Sequence, residues 1–149
     1  MPVPAGAAEP AALDRDREIR RLEQKVAAGA QAVMTQPVYD PTVLERFLAD
    51  IAHLDVKVLV GILPLASLRN ARFLDRNVPG MQVPESVLEH LAQCPQDEVA
   101  NEGVRIARDA LLAVVDRVDG AYVMPPLGRY ERALAVIDGI DRRADWRLP

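Results

Sequence analysis

Val56-Lys57-Val58-Leu59-Val60-Gly61-Ile62-Leu63, closed by Pro64, is the run whose reading decides the fold. Apart from Lys57 and Gly61 it is aliphatic, rich in β-branched residues, and without the polar alternation of a half-solvated strand. A strand that is apolar on both faces belongs in a parallel sheet covered by helices. Upstream, Gln31-Ala32-Val33-Met34-Thr35-Gln36 is a shorter run of the same kind, stopped by Pro37. Downstream, Gly120-Ala121-Tyr122-Val123-Met124 is a third, stopped by Pro125-Pro126.

Helical patterns fill the intervals. From Leu13 to Ala30 the apolar residues Ile19, Leu22 and Val26 fall on one face, and Gly29 stands where a helix stops. Asp40-Pro41 is an N-cap followed by a first-turn proline, opening a helix with Val43, Leu44, Phe47, Leu48 and Ile51 inward. Ser67 caps the next helix, which ends at the turn Asn77-Val78-Pro79-Gly80. Pro84 begins a short one through Val87, Leu88 and Leu91, and Glu98 to Arg117 reads as a longer one. Tyr130 to Ile137 is the last, broken by Asp138-Gly139. Taken alone, residues 1–12 are small and Pro-rich and read as a loop or frayed end. Residues 141–149 read as a charged, flexible tail with Trp146 its one large anchor. The order α, β, α, β, α, α, α, β, α is that of an α/β domain with right-handed crossovers. An open doubly wound sheet and a part of a (β/α)8 barrel both satisfy it, although a whole barrel needs about 250 residues.

Composition narrows the function classes. The chain has 149 residues, 50% hydrophobic and 27% charged, enough for one domain with a core. A net charge of -4 argues against general nucleic-acid binding, which needs clustered cations. No apolar run approaches the roughly 20 residues of a membrane span, and the N-terminus lacks the pattern of a secretory signal. The single cysteine, Cys94, excludes an internal disulfide framework and suits a reducing cytoplasm.

Ligands of parallel α/β folds sit at the C-terminal ends of the strands. Here those ends are Thr35-Gln36-Pro37-Val38-Tyr39-Asp40, Leu63-Pro64-Leu65-Ala66-Ser67-Leu68-Arg69-Asn70 and Pro125-Pro126-Leu127-Gly128-Arg129-Tyr130. Any one of them is an ordinary strand-stop loop; three that combine proline with amide, guanidinium or hydroxyl groups form a candidate site. On the first helix Arg17, Arg21 and Lys25 are spaced four apart, so an anion such as a pyrophosphate would relieve their repulsion. On periodicity alone a solvated face, with Asp14, Asp16, Glu18 and Glu23 as counter-charges, is the favoured reading. Glycine-rich phosphate loops and nucleophilic triads are missing from the sequence. His90 and Cys94 lie four apart on a helix without further metal ligands, and His53 has no evident carboxylate partner. Met34 and Met124 read as core filler.

Lys25-Val26-Ala27-Ala28-Gly29-Ala30 followed by Val33-Met34-Thr35-Gln36-Pro37-Val38-Tyr39-Asp40 resembles the helix-then-strand signature of methylenetetrahydrofolate reductases. Gly61-Ile62-Leu63-Pro64-Leu65 is similar to that family's next strand end. Pro125-Pro126-Leu127-Gly128-Arg129-Tyr130 resembles the bacterial bifunctional branch, in which a homocysteine S-methyltransferase domain precedes the reductase. The resemblance runs from about Glu9 to Ile137. It implies a partial (β/α)8 TIM barrel, strands six to eight with their helices, and Val3 to Ala8 as the remnant of the fifth. It implies FAD as cofactor, NAD(P)H as reductant, and 5,10-methylenetetrahydrofolate reduced to 5-methyltetrahydrofolate in one-carbon metabolism and methionine biosynthesis.

Position by position, the resemblance places Gln36, Asn70 and Arg129 on the folate substrate, and Glu18, Arg21, Gln24 and Lys25 along FAD. Arg17 is not a matched position. The family's acidic glutamate after the first strand and its aspartate after the fourth have no counterpart in this sequence, so no residue takes the catalytic acid role. Glu9 stands where the bifunctional branch tends to have asparagine. The implied expectation is an incomplete C-terminal portion of a flavoprotein oxidoreductase, inactive alone. The alternative is a non-catalytic interaction module that pairs with a complementary barrel half or a full-length relative. Either reading allows a homo-oligomer.

Overall fold

A computed structural model describes residues 3–140 of the chain; the charged C-terminal segment read as a tail lies outside them. Strand β1 (Ala5–Ala8) leads into helix α1 (Arg15–Ala27), capped by the Asp14 carboxylate, which accepts from the Arg17 amide at 2.9 Å. Strand β2 (Ala32–Thr35) follows a turn at Gly29, whose φ of 105° is costly for any residue with a Cβ. Helix α2 (Pro41–Asp50) starts as its sequence dictates, Asp40 accepting from the Thr42 amide with proline in the first turn. Strand β3 (Lys57–Ile62) feeds α3 (Leu68–Asn77), capped by Ser67, then α4 (Glu85–Gln93) and α5 (Val99–Val114). Strand β4 (Gly120–Val123), a 3-10 turn at Pro126–Gly128 and helix α6 (Tyr130–Ile137) complete the order.

All pairings are parallel and the spatial order is β1-β2-β3-β4, the order of the chain itself. Crossovers of one hand between consecutive neighbours place every helix on the same face of the sheet. The core has that arrangement. Val33, Val58, Val60 and Ile62 share a face and meet Leu22 of α1, Leu44 and Phe47 of α2, Leu111 and Val114 of α5, and Val136 of α6. The opposite face is bare: Ala7, Met34 and Leu59 line up across β1, β2 and β3, and Met34 is 37% exposed. This is the winding of a barrel segment, and it removes the doubly wound alternative, which needs helices on both faces.

Two expectations change, and of the two readings of the N-terminal residues the strand that the resemblance implies holds over the loop read from composition: Ala5–Ala8 is a strand, so the sheet has four strands, and the outer edge of β2 is paired. Small residues give β1 no propensity of its own; the free edge of β2 supplies its hydrogen bonds. Met34 faces out from the bare side instead of filling the core, because the alternation of β2 buries Val33 and Thr35. His53 does have an acidic partner, its Nε2 lying 2.9 Å from Glu23 Oε1 across 30 residues of sequence.

A second cluster forms where the β3 exit loop meets α3, α4 and α5, around Leu65, Leu74, Leu88, Leu91 and Val99. Its tightest point is Gly103 on α5, where an added Cβ would lie 1.9 Å from the Leu65 carbonyl oxygen. Backbone rather than a flexible side chain is in the way. Gly103→Ala is therefore expected to destabilise the fold by about 1–3 kcal/mol, read as a lower urea midpoint at unchanged m-value.

Candidate functional site

Because the strands are parallel and sequential, their C-terminal ends form one rim. Gln36 follows β2 directly, its amide donating to the Ala8 carbonyl at 2.9 Å, so its backbone belongs to the sheet and its half-buried side chain to the rim. Beyond β3, Tyr39 from the neighbouring loop donates its hydroxyl to the Leu63 carbonyl at 2.9 Å. Burial holds that phenol far above its ordinary pKa, so it stays a donor at any physiological pH. The same exit turns into α3 through Asn70, whose Oδ1 accepts from the Ala66 amide at 3.2 Å. That bond commits the carbonyl side of the Asn70 amide to the loop and leaves its NH2 as the available half. Arg129 leaves the β4 exit after Leu127 and Gly128, both with positive φ, and lies exposed with Nη1 3.6 Å from Glu131 Oε1.

Gln36, Asn70 and Arg129 thus come from three adjacent strand ends in order, on one rim. They do not bond to one another. Beneath Gln36 lies a feature that sequence reading missed. A regular ladder would send the Gly61 amide to the Thr35 carbonyl, continuing the bond from Lys57 to Gln31. Instead it donates to Thr35 Oγ1 at 3.0 Å, and Tyr122 reaches over β3 to give its hydroxyl to the Thr35 carbonyl. A Cβ at residue 61 would lie 2.5 Å from that carbonyl and 2.6 Å from the Tyr122 oxygen, so the crossing requires glycine. Three strands are fastened together just below the rim, and β2 is splayed from β3 where Gln36 emerges.

The second group lies on α1. Glu18 is only 6% exposed; its Oε1 accepts from the Glu9 amide at 2.9 Å, and its Oε2 is 3.7 Å from Arg21 Nη1. Lys25 gives its ammonium to the Ala7 carbonyl. Arg21 and Gln24 are exposed. The stripe of three cations is therefore divided. Arg17 and Arg21 border a hollow of about 510 Å³ between α1 and the turn after α3, with Arg76 on the facing wall and Glu9 at its base, while Lys25 is turned onto β1. Arg76 and Glu9 were not legible as site residues, since only the fold brings the α3 turn beside α1.

Outside the rim, His90 Nε2 lies 2.5 Å from Glu102 Oε1 and 3.9 Å from Cys94 Sγ, and Arg105 pairs with the same carboxylate. Both polar neighbours use the one ring nitrogen, so the thiol is not set up for proton transfer through the imidazole. Among the described residues no group of three His, Cys, Asp or Glu side chains could hold a metal ion, and no helix is long and apolar enough to cross a membrane. The hydrogen bonds from Arg105, then that from His90, hold the Glu102 carboxyl at a pKa of about 2, against 4.5 ordinarily. A lowered pKa contributes stability that is complete above 4.5 and lost as pH falls through about 2. Glu102→Gln should flatten the fall in urea midpoint across that window while leaving the curve above it parallel to the parent's.

The sequence model of the family described as methylenetetrahydrofolate reductase matches residues 3–121. That stretch contains Glu18, Arg21, Gln24, Lys25, Gln36 and Asn70, and stops short of Arg129. A curated relative, methylenetetrahydrofolate reductase 2 of Schizosaccharomyces pombe, is 30% identical over 112 residues, covering 70% of this chain and 17% of its own length. Among solved structures, an uncharacterized protein from Clostridium thermocellum that binds two copies of 5-methyl-5,6,7,8-tetrahydrofolic acid superposes with a TM-score of 0.70 at 19% identity. It covers 91% of this chain and 52% of its own. The chain thus spans about a sixth of the curated relative and about half of the solved one.

Proposed function

The chain belongs to the methylenetetrahydrofolate reductase family, and from that premise we propose that its rim is the folate-and-flavin side of that family's reaction. The observation that carries this is the exit of Gln36, Asn70 and Arg129 from three neighbouring parallel strands onto one rim. A pterin presents alternating donors and acceptors along one edge, and the Gln36 amide offers both in one plane. Asn70, its oxygen already bonded, donates through its NH2. Arg129, exposed and only loosely paired with Glu131, is free to turn to a carboxylate of the folate's glutamyl end.

FAD, when bound, would supply the hydride carrier between NAD(P)H and methylenetetrahydrofolate. The fit of α1 to its diphosphate is uneven and instructive. Arg17, Arg21 and Arg76 line one hollow whose guanidinium groups could meet an anion, but Glu9, Asp14, Glu18 and Asp75 line it too, and Gln24 is exposed on the same helix outside it. Lys25 is occupied by the Ala7 carbonyl of β1 and Glu18 by the Glu9 amide just beyond it, so Glu18 acts by fixing Glu9 and orienting Arg21. The family's acidic glutamate after the first strand has no matched position among the described residues, so on this reading the chain taken alone binds folate without turning it over.

Calorimetric titration of the 149-residue chain with 5-methyltetrahydrofolate and, separately, with FAD tests this reading. Gln36→Ala should weaken folate about 10-fold and leave FAD unchanged, and Arg21→Ala should do the reverse. Folate affinity indifferent to both Gln36→Ala and Arg129→Ala would refute the rim assignment.

A further inference from the structure

Continued in its own register, the ladder between β2 and β3 would carry two more bonds toward the rim. One would run from the Gly61 amide to the Thr35 carbonyl, the other from the amide of residue 37 to the Gly61 carbonyl. The second cannot form, because residue 37 is proline and has no N–H to give. In place of the first, the Gly61 amide turns to Thr35 Oγ1 at 3.0 Å. The two strands part where Gln36 leaves the sheet.

Three side-chain oxygens hold the parted ends. Thr35 Oγ1 takes the Gly61 amide, the Tyr122 hydroxyl donates to the Thr35 carbonyl, and the Tyr39 hydroxyl donates to the Leu63 carbonyl at 2.9 Å. Gln36 therefore stands between a residue held by its carbonyl and one held by its phenol, with its own amide fixed to Ala8. The tie from Tyr122 is the least local of the three. It starts on β4, crosses β3 over Gly61 and ends on β2. Val60 and Ile62 are in the core, so the crossing runs over the bare face of the sheet. By the alternation of β2, which buries Val33 and Thr35, Gln36 turns to that same face. Burial raises the Tyr122 pKa, so the hydroxyl remains a donor at physiological pH. A regular ladder would satisfy the same backbone groups with any residue at position 61. The departure requires both a glycine and a tyrosine, and it occurs beside a candidate binding residue.

We infer that Tyr122 is a positioning residue for Gln36. By holding the Thr35 carbonyl from across β3, it fixes the backbone from which Gln36 is aimed, and with it the plane in which the Gln36 amide meets the donor and acceptor edge of a flat heterocycle. This role rests on the rim reading of Gln36, in which that heterocycle is a pterin. Tyr122 acts through Thr35 and needs no contact of its own with the ligand. An amide that must find its plane on binding gives up conformational freedom at that moment, and one already aimed does not. The position of the tie agrees with this use, since it grips the residue immediately before Gln36. A tie that served only to close the sheet would matter equally whether or not residue 36 carried an amide.

Calorimetric titration with 5-methyltetrahydrofolate of the full chain, Tyr122→Phe, Gln36→Ala and the double variant closes a double-mutant cycle. Tyr122→Phe is expected to weaken folate about 5-fold in the parent and less than about 1.5-fold once residue 36 is alanine, with FAD affinity and the far-UV spectrum unchanged. Equal losses in the two backgrounds would overturn the positioning role and leave the rim reading standing. So would the absence of any loss in the parent where Gln36→Ala alone weakens folate. A Gln36→Ala chain that binds folate as the parent does removes both. Nitrogen-15 relaxation of the parent tests the same role without a variant. The Gln36 and Val38 amides are expected to be as rigid as the strands, with order parameters of about 0.85, and values below about 0.6 would overturn it.

Discussion

Parallel pairing between strands that follow one another in the chain is the constraint from which the rest proceeds. Each strand must return to the same end before the next can pair, and a crossover of fixed hand returns over the same face. The consequence is a sheet with α1, α2, α5 and α6 packed on one side and Ala7, Met34 and Leu59 bare on the other. The same constraint gathers every strand exit on one rim. Gln36, Asn70 and Arg129 are 34 and 59 residues apart in sequence and share that rim only because the strands run in one direction.

Much of this was legible because its causes are local. Asp40 and Ser67 declare their helices through a side-chain oxygen and an amide two or three residues away. The Val56–Leu63 run declares β3 by composition, and the three rim segments follow from where strands stop. What escaped was set by distant partners. Composition gives Ala5–Ala8 no strand signal; only the resemblance pointed to one, and the edge of β2 supplies its bonds. The reach of Tyr122 to Thr35 spans 87 residues and the pairing of His53 with Glu23 spans 30, so neither leaves a local trace. Arg76 joins the hollow beside α1 for the same reason.

Glu18 and Lys25 show how one position can serve two readings. By resemblance both sit along a flavin; in the fold both are spent on the outward backbone of β1. Electrostatically these uses are compatible for Glu18, whose buried carboxylate steadies Arg21 from behind. For Lys25 they compete, since an ammonium donating to the Ala7 carbonyl must leave it to meet a phosphate.

The crossing of Tyr122 over Gly61 ties two positions into one unit of descent. A methyl group at residue 61 would collide with both the phenol oxygen and the carbonyl it serves. A lineage that gained a side chain there would first have to lose the tyrosine, and with it the donor on Thr35. A side chain gained alone collides, and a tyrosine lost alone leaves the Thr35 carbonyl without its donor, so the pair can drift only by passing through an intermediate worse than both ends.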